Sequence, residues 1–383
     1  MERQGVLVGM LDLKLPAVCD VSVTNACNAA CDFCGFDRDK TLAGAARYVD
    51  SDAFSRALPI MPRRGIRYMT LQGGEPLVHP DILRLVARTV AAGMSCALIT
   101  NGWFLPRYIG ALAETGLDRL TVSIDSAKLA EHERNRGPEG LESRLADGIA
   151  RARACGVPGQ VSVTVSRLVR YEELPDTLQR LGFDDVAFSY PRREPLGSTS
   201  LVYGESDLVD LDRDELLAAL DAIGRLRQRF PVLNPRASLA EVARYVRGQR
   251  QVVLCNGGYK YFYLDWNLDI WRCEAWNEPL GSVFDLDRIP DQREPCNACM
   301  MACYRNASML MHAAVATTDA ARALAAGQIG SAAASLSRRS VAQSLWALIK
   351  ERRRCAAWLA GGSEPRPMLK SDTMAGPQTR REA

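Results

Sequence analysis

From residue 17 to about residue 190, short apolar runs alternate with amphipathic stretches. The runs at 17–23, 67–71, 95–100, 119–124, 160–166 and 185–189 have the length and the β-branched or aliphatic content of buried strands. Between them, 51–58, 81–92, 106–114, 141–155 and 171–181 space apolar residues as a helix does. Glycines follow most of these helical stretches, where a helix stop is wanted. Six βα units in series predict a parallel sheet curled into a barrel or part-barrel, and functional residues at its C-terminal strand ends.

Past Pro191 the pattern changes. A Pro-, Gly- and Ser-rich loop leads to helical segments at 212–229 and 239–247. From Cys255 the chain turns strand-rich, and 261–266 with 269–273 reads as a hairpin turning near Asn267-Leu268. Residues 306–360 are Ala-rich and helical, and 361–383 carry the Gly, Pro, Ser and charge of a disordered tail. The fold class is therefore α/β: a partial (β/α)6 TIM-like barrel over 1–230, a small cysteine-bearing domain over 231–310, and a helical C-terminal extension over 311–360.

Composition alters this picture little. The 383 residues are 47% apolar and 24% charged, as in a folded enzyme, and a net charge of +3 speaks against a dedicated nucleic-acid binder. Residues 1–18 are broken by Glu2, Arg3, Asp12 and Lys14, leaving no secretory signal, and no run is long enough for a transmembrane span. A cytoplasmic protein is expected. The charge is uneven, since residues 338–383 hold ten Lys or Arg against four Asp or Glu. With an apolar stripe of Val341, Leu345, Leu348 and Ile349 beside Trp346, this stretch reads as a helix packed on the barrel, or as a peripheral contact with an anionic membrane.

Chemistry gathers at the cysteines. Cys27, Cys31 and Cys34 follow the first strand at C-x3-C-x2-C spacing, enough to hold three irons of a 4Fe–4S cluster and leave the fourth open. The rival reading is a zinc knot, but no fourth Cys or His lies nearby to close it. Gly73, Gly74 and Glu75 follow the second strand, Asn101 the third, and Ser123 and Asp125 the fourth. A second group, Cys255, Cys273, Cys296, Cys299 and Cys303, can fully ligate one further cluster with a thiol to spare, structural zinc being the alternative. Cys19, Cys96, Cys155 and Cys355 are left as buried small hydrophobes.

The triad, with aromatic Phe33 before its third cysteine, resembles the signature of the radical S-adenosylmethionine (radical SAM) enzymes. Gly73-Gly74-Glu75 resembles the motif of that family that holds the methionine ammonium of SAM. The resemblance implies that SAM chelates the open iron and is cleaved reductively to a 5′-deoxyadenosyl radical that abstracts a substrate hydrogen. Phe33, Asn101, Ser123 and Asp125 match positions near SAM or substrate. His132-x3-Arg136-Gly137 and the second cysteine group resemble the SPASM/twitch subgroup with one auxiliary 4Fe–4S cluster, Cys255, Cys273, Cys296 and Cys299 being the better-matched ligands and Cys303 an alternate. This implies an electron donor such as flavodoxin or ferredoxin, and an auxiliary cluster suited to a two-electron oxidation. Asp125 and Tyr190 are candidate bases. With the first strand beginning near Ala17, a small-molecule substrate is expected over a ribosomal peptide. A lipid-like substrate and a non-enzymatic metal-binding protein are the alternatives.

Overall fold

All six predicted strands form: β1 (Ala17–Ser22), β2 (Ile66–Gln72), β3 (Ser95–Thr100), β4 (Arg119–Ser123), β5 (Gly159–Thr164) and β6 (Asp185–Ser189). They are seen in a computed structural model that describes residues 15–36, 45–191, 206–294 and 296–351. Each strand pairs in parallel with the next, because a helical crossover returns the chain to the same end of the sheet. The crossovers carry α1 (Ser51–Ala57), α2 (Ile82–Ala91), α3 (Leu105–Glu114), α4 (Leu129–Arg136), α5 (Leu141–Ala154) and α6 (Leu174–Leu181). Helix α4 escapes the hydrophobic pattern because only Leu129 and His132 of its eight residues are buried.

Strand alternation sorts the side chains by face. Cys19, Val21, Met69, Leu71 and Leu98 enter the main core. Period two then leaves Asp20, Thr70 and Gln72 on the concave side.

The predicted hairpin forms from β7 (Tyr261–Leu264) and β8 (Asp269–Trp271), with Leu268 at its turn in the left-handed region at φ 65°. Asp265 shapes the turn, accepting from the backbone of Asn267 and Asp269 and from Trp271 Nε1 at 2.9, 3.0 and 3.0 Å. A short third strand, β9 (Gly281–Ser282), follows. Strand β7 lies parallel against β1, with Val18 opposite Tyr261 and Val21 opposite Leu264. One nine-stranded sheet therefore runs β6-β5-β4-β3-β2-β1-β7-β8-β9, and the second cysteine module grows from the barrel's own edge.

Helices α7 (Arg213–Leu226) and α8 (Arg236–Val246) lie within the two predicted segments or just ahead of them, and α7 opens on an Asp212/Glu215 capping box. The Ala-rich stretch is not one helix but α9 (Ala302–Ala325), α10 (Ile329–Leu336) and α11 (Arg339–Lys350), the first break falling at Gly327 with φ 75°. Of the expected stripe on α11 only Val341 is buried, and Leu348 is half-buried. Ser340, Val341, Ser344 and Ala347 are buried, whereas Leu345, Trp346 and Ile349 are 49, 47 and 64% exposed. Small residues win because they admit close approach to α9: Ser344 Oγ accepts from Ala313 N at 2.9 Å, and Ser340 Oγ meets His312 Nε2 at 2.7 Å. The basic run at 352–354 and the tail at 361–383 lie outside the described residues. No described helix is long and apolar enough to cross a membrane.

Cys19 and Cys96 are fully buried, as expected, and Cys355 lies outside the described residues. Cys155 is exposed instead, because it caps the C-terminus of α5. A thiol reagent added to the native protein is expected to modify Cys155 and spare Cys19 and Cys96, read by peptide mass mapping. Equal labelling of Cys96 would contradict this packing.

Candidate active site at the strand ends

The C-x3-C-x2-C loop leaves the end of β1 and is fastened on three sides. Thr24 turns it, with Oγ1 donating to Arg47 O at 2.6 Å and accepting from Ala26 N at 3.0 Å. Asn25 pairs with the same crossover, donating to Ala45 O and accepting from Arg47 N. On the far side Ala30 N donates to Arg136 O at 2.7 Å. Cys31 and Phe33 are buried. Ala29 N points at Cys27 Sγ at 3.4 Å.

The third fastening is the glycine pair. Gly74 N donates to Thr24 O and Glu75 N to Ala26 O, both at 2.8 Å. A Cβ at Gly73 would stand 2.3 Å from Thr24 O, and one at Gly74 2.1 Å from Ala26 O. Only glycine lets β2's tip lie against the cysteine loop. Glu75 is fully buried and joins strand ends, accepting from Leu77 N (3.0 Å), Thr100 Oγ1 (2.7 Å) and Asn101 N (2.7 Å). Burial nevertheless pushes its carboxyl up to about 6. Asn101 Nδ2 reaches back to Asn28 Oδ1 at 2.8 Å, so the ends of β1, β2 and β3 form one rigid rim.

Past β4, Ser123 is half-buried and Asp125 is enclosed. Asp125 accepts from Arg136 Nε (2.9 Å) and Nη2 (2.6 Å) and from Asn135 Nδ2 (2.8 Å). Burial raises its carboxyl, but Arg136 and His132 outweigh that and hold it well below the usual carboxylate range. Burial likewise opposes the Arg136 charge, but Asp125, Cys31 and Cys34 overcome it and push the guanidinium up. Helix α4 thus places a permanent cation beside two of the three thiols, a residue whose role sequence reading did not foresee. Asp125 is committed to that pair, and Tyr190, buried and hydrogen-bonded from Asn234 Nδ2 at 3.3 Å, is pushed up by burial. Neither has the character of a proton acceptor. His79 holds the start of α2, its Nδ1 accepting from Asp81 N and its Nε2 donating to Val49 O.

The second cysteine group lies on the same side of the sheet as Tyr261. Cys255, Cys273, Cys296 and Cys299 lie close enough to influence one another electrostatically. Cys303, in the first turn of α9, is half-buried near Glu274 and Asp20. Between the two cysteine groups runs a polar seam. Tyr261 Oη donates to Asp20 Oδ2 at 2.8 Å, Gln72 Nε2 to Glu274 Oε1 at 2.7 Å, and the Tyr304 hydroxyl, buried next to both acids, finds no hydrogen-bond partner among the described residues. Burial pushes Asp20 up to about 6 against hydrogen bonds from Tyr261 and Thr70. The sequence signal for Asp20 was present, as a lone charge inside an apolar strand; Glu274 gave none beyond its place after Cys273.

Among the described residues no three Cys, His, Asp or Glu side chains lie close enough to share a single ion. The fit to an iron–sulfur cluster rests instead on the donor chemistry, three thiols within eight residues of one loop, and on the glycine cradle that holds that loop.

Residues 21–181 match the Radical SAM superfamily. Among curated relatives, the chain is 34% identical over 159 residues to a probable GTP 3′,8-cyclase of Thermococcus kodakarensis, covering 42% of this chain and 51% of that protein. It is 32% identical over 231 residues to a GTP 3′,8-cyclase of Erythrobacter litoralis, covering 59 and 66%. The chain thus spans about half to two thirds of these relatives. Streptococcus suis SuiB shares the fold at TM-score 0.56 and 15% identity, over 76% of this chain and 70% of SuiB. A domain match that takes in the thiol triad, the glycine cradle and the Asp125–Arg136 pair places residues 21–181 of this chain in the radical SAM superfamily.

Proposed function

We propose that this protein is a SAM-cleaving iron–sulfur enzyme of the twitch type that takes a hydrogen atom from a small organic molecule. The observation that carries the reading is the fastening of the Cys27–Cys31–Cys34 loop to Gly73-Gly74-Glu75, which brings three thiolates and a buried carboxylate to one rim of the sheet. Cys27, Cys31 and Cys34 would hold the cluster that binds SAM, with Phe33, Gly73, Gly74, Glu75, Asn101, Ser123 and Asp125 around the cofactor. When bound, the cluster and SAM supply a reductively generated carbon radical. The protein's part is to position them: Glu75 keeps the rim closed and presents negative charge, and Arg136 offsets the charge of the thiolates. Cys255, Cys273, Cys296 and Cys299 would hold the auxiliary cluster, with Cys303, near Glu274 and Asp20, as the alternate ligand. The domain division at 230 and 310 belongs to this reading, as do a cytoplasmic setting and a flavodoxin or ferredoxin donor.

The names of the relatives raise GTP as a substrate. Asp20 and Glu274 weigh against it, since two buried carboxylates on the polar seam would repel a polyphosphate. A substrate offering hydrogen-bond donors suits Asp20, Glu274 and the unpartnered Tyr304 better.

Anaerobic reconstitution tests the proposal. About eight irons per chain are expected, with dithionite-dependent release of 5′-deoxyadenosine from SAM. Stoichiometric zinc with no SAM cleavage would replace this reading with that of a non-enzymatic metal protein.

A further inference from the structure

Next to the second cysteine group, α8, the segment leading to Cys255 and the N-terminus of α11 border a recess of about 340 Å³ lined by Arg244, Arg250, Gln251, Arg338 and Ser340, among others. Its charge is one-sided. Arg250 and Arg338 are exposed, and no carboxylate pairs with either among the described residues. Arg244 spends Nε and Nη2 on Arg250 O at 3.2 and 3.0 Å. The carboxylate nearest to it, Glu241 Oε1, stands 3.9 Å away, and Oε2 of the same group is taken by Val252 N and Val253 N.

Two independent features show what the recess lacks. Gln251 is 2% exposed, yet among the described residues neither its Nε2 nor its Oε1 finds a partner, an arrangement that buried amides rarely tolerate without a bound group. Helix α11 starts at the same wall with Arg338 as its N-cap and no side-chain cap; Val341 N turns back to Arg338 O at 2.9 Å, and the N–H groups of Arg339 and Ser340 have no side-chain acceptor. Apart from the Gln251 carbonyl oxygen, which a protonated phosphoryl oxygen can satisfy, the polar groups named here (guanidiniums, an amide N–H and a helix N-terminus) are donors, and together they match a tetrahedral oxyanion better than a planar carboxylate.

We infer that this recess is a phosphoryl-binding site, formed by Arg244, Arg250, Gln251, Arg338 and the first turn of α11. The phosphoryl group belongs either to a soluble phosphate compound or to a lipid headgroup. The site is separate from the proposed SAM centre, and its wall is the run 250–254 that delivers Cys255.

The test uses the full-length, cluster-loaded protein in phosphate-free buffer. Calorimetry with inorganic pyrophosphate and co-sedimentation with phosphatidylcholine vesicles containing phosphatidic acid are compared for the native protein, Arg250→Ala/Arg338→Ala and Gln251→Leu. Saturable binding of either probe is expected, weakened at least about tenfold in both variants; the probe that binds names the source. Both arginines are exposed, so their loss leaves the fold intact. Gln251→Leu keeps the charge and so separates a built site from diffuse attraction. Binding of neither probe, or binding unchanged by Gln251→Leu, would overturn the assignment.

Discussion

Cys31→Ala is expected to bring 5′-deoxyadenosine release to background, whereas Cys273→Ala keeps it. Cys31 is buried in a loop that offers three thiols, so its loss leaves two ligands for four irons and no stable cluster for SAM to chelate. The sheet does not depend on that side chain, and the variant should keep its circular dichroism and thermal transition. Cys273 belongs to the other group, across the seam of Asp20, Gln72 and Glu274. Its removal should lower the iron content by about four per chain and leave SAM cleavage within a few-fold of native. Because such sites also support folding, iron and solubility are measured together with cleavage. Loss of cleavage in a soluble Cys273→Ala that keeps its first cluster would refute the division of labour between the two groups.

The second large effect falls on Arg136. Replacing it with alanine strands Asp125, which is 1% exposed, as a buried charge without its cation. Breaking a buried pair in this way costs about 3–5 kcal/mol. Denaturant unfolding of the metal-free protein should show that loss, and Arg136→Lys should recover only part of it because an ammonium cannot make the two-pronged contact. Adding Asp125→Asn to Arg136→Ala removes the stranded charge and should restore stability. An Arg136→Ala protein as stable as the native one would show that water reaches the site.

The pair also has a pH signature with a definite sign. Asp125 is held well below its unfolded value of about 3.9. Its contribution is therefore complete above pH 4 and is lost as the pH falls through the folded value. In Arg136→Ala burial acts on Asp125 without that cation and raises its carboxyl, so the gap between native and variant should widen as the pH rises and close in acid, where the stranded group takes up a proton. Asp20 and Glu75 act in the opposite sense: each is raised to about 6, so each costs stability as the pH climbs from about 4 to 6.

Much of the architecture was legible in the linear pattern, for reasons particular elements make plain. The six barrel strands are apolar on the face that meets the helices, and most crossover helices carry a clear stripe, so periodicity alone located them. It failed at α4, whose value lies in Arg136, Asn135 and His132 and not in apolar contact. It also misjudged α11, where serines and alanines pack and the larger residues face outward. A scale that rewards bulk has no means of recognising close helix approach through small side chains.

The sequence by itself determined the order of βα units, the two cysteine groups and their spacing, and the glycine pair after β2. These are local facts, set by propensity and by the chemistry of single side chains. Tertiary structure alone decided the rest. Parallel pairing of β7 with β1 joins residues some 240 positions apart and places the second cysteine group on the same side of the sheet as Asp20. It turned Gly73 and Gly74 into a cradle for the loop they follow by more than a strand's length, and Asp125 from a candidate base into the anchor of Arg136. Burial, charge pairing and close approach depend on which segments meet in space, and that is settled only when the sheet closes over its core.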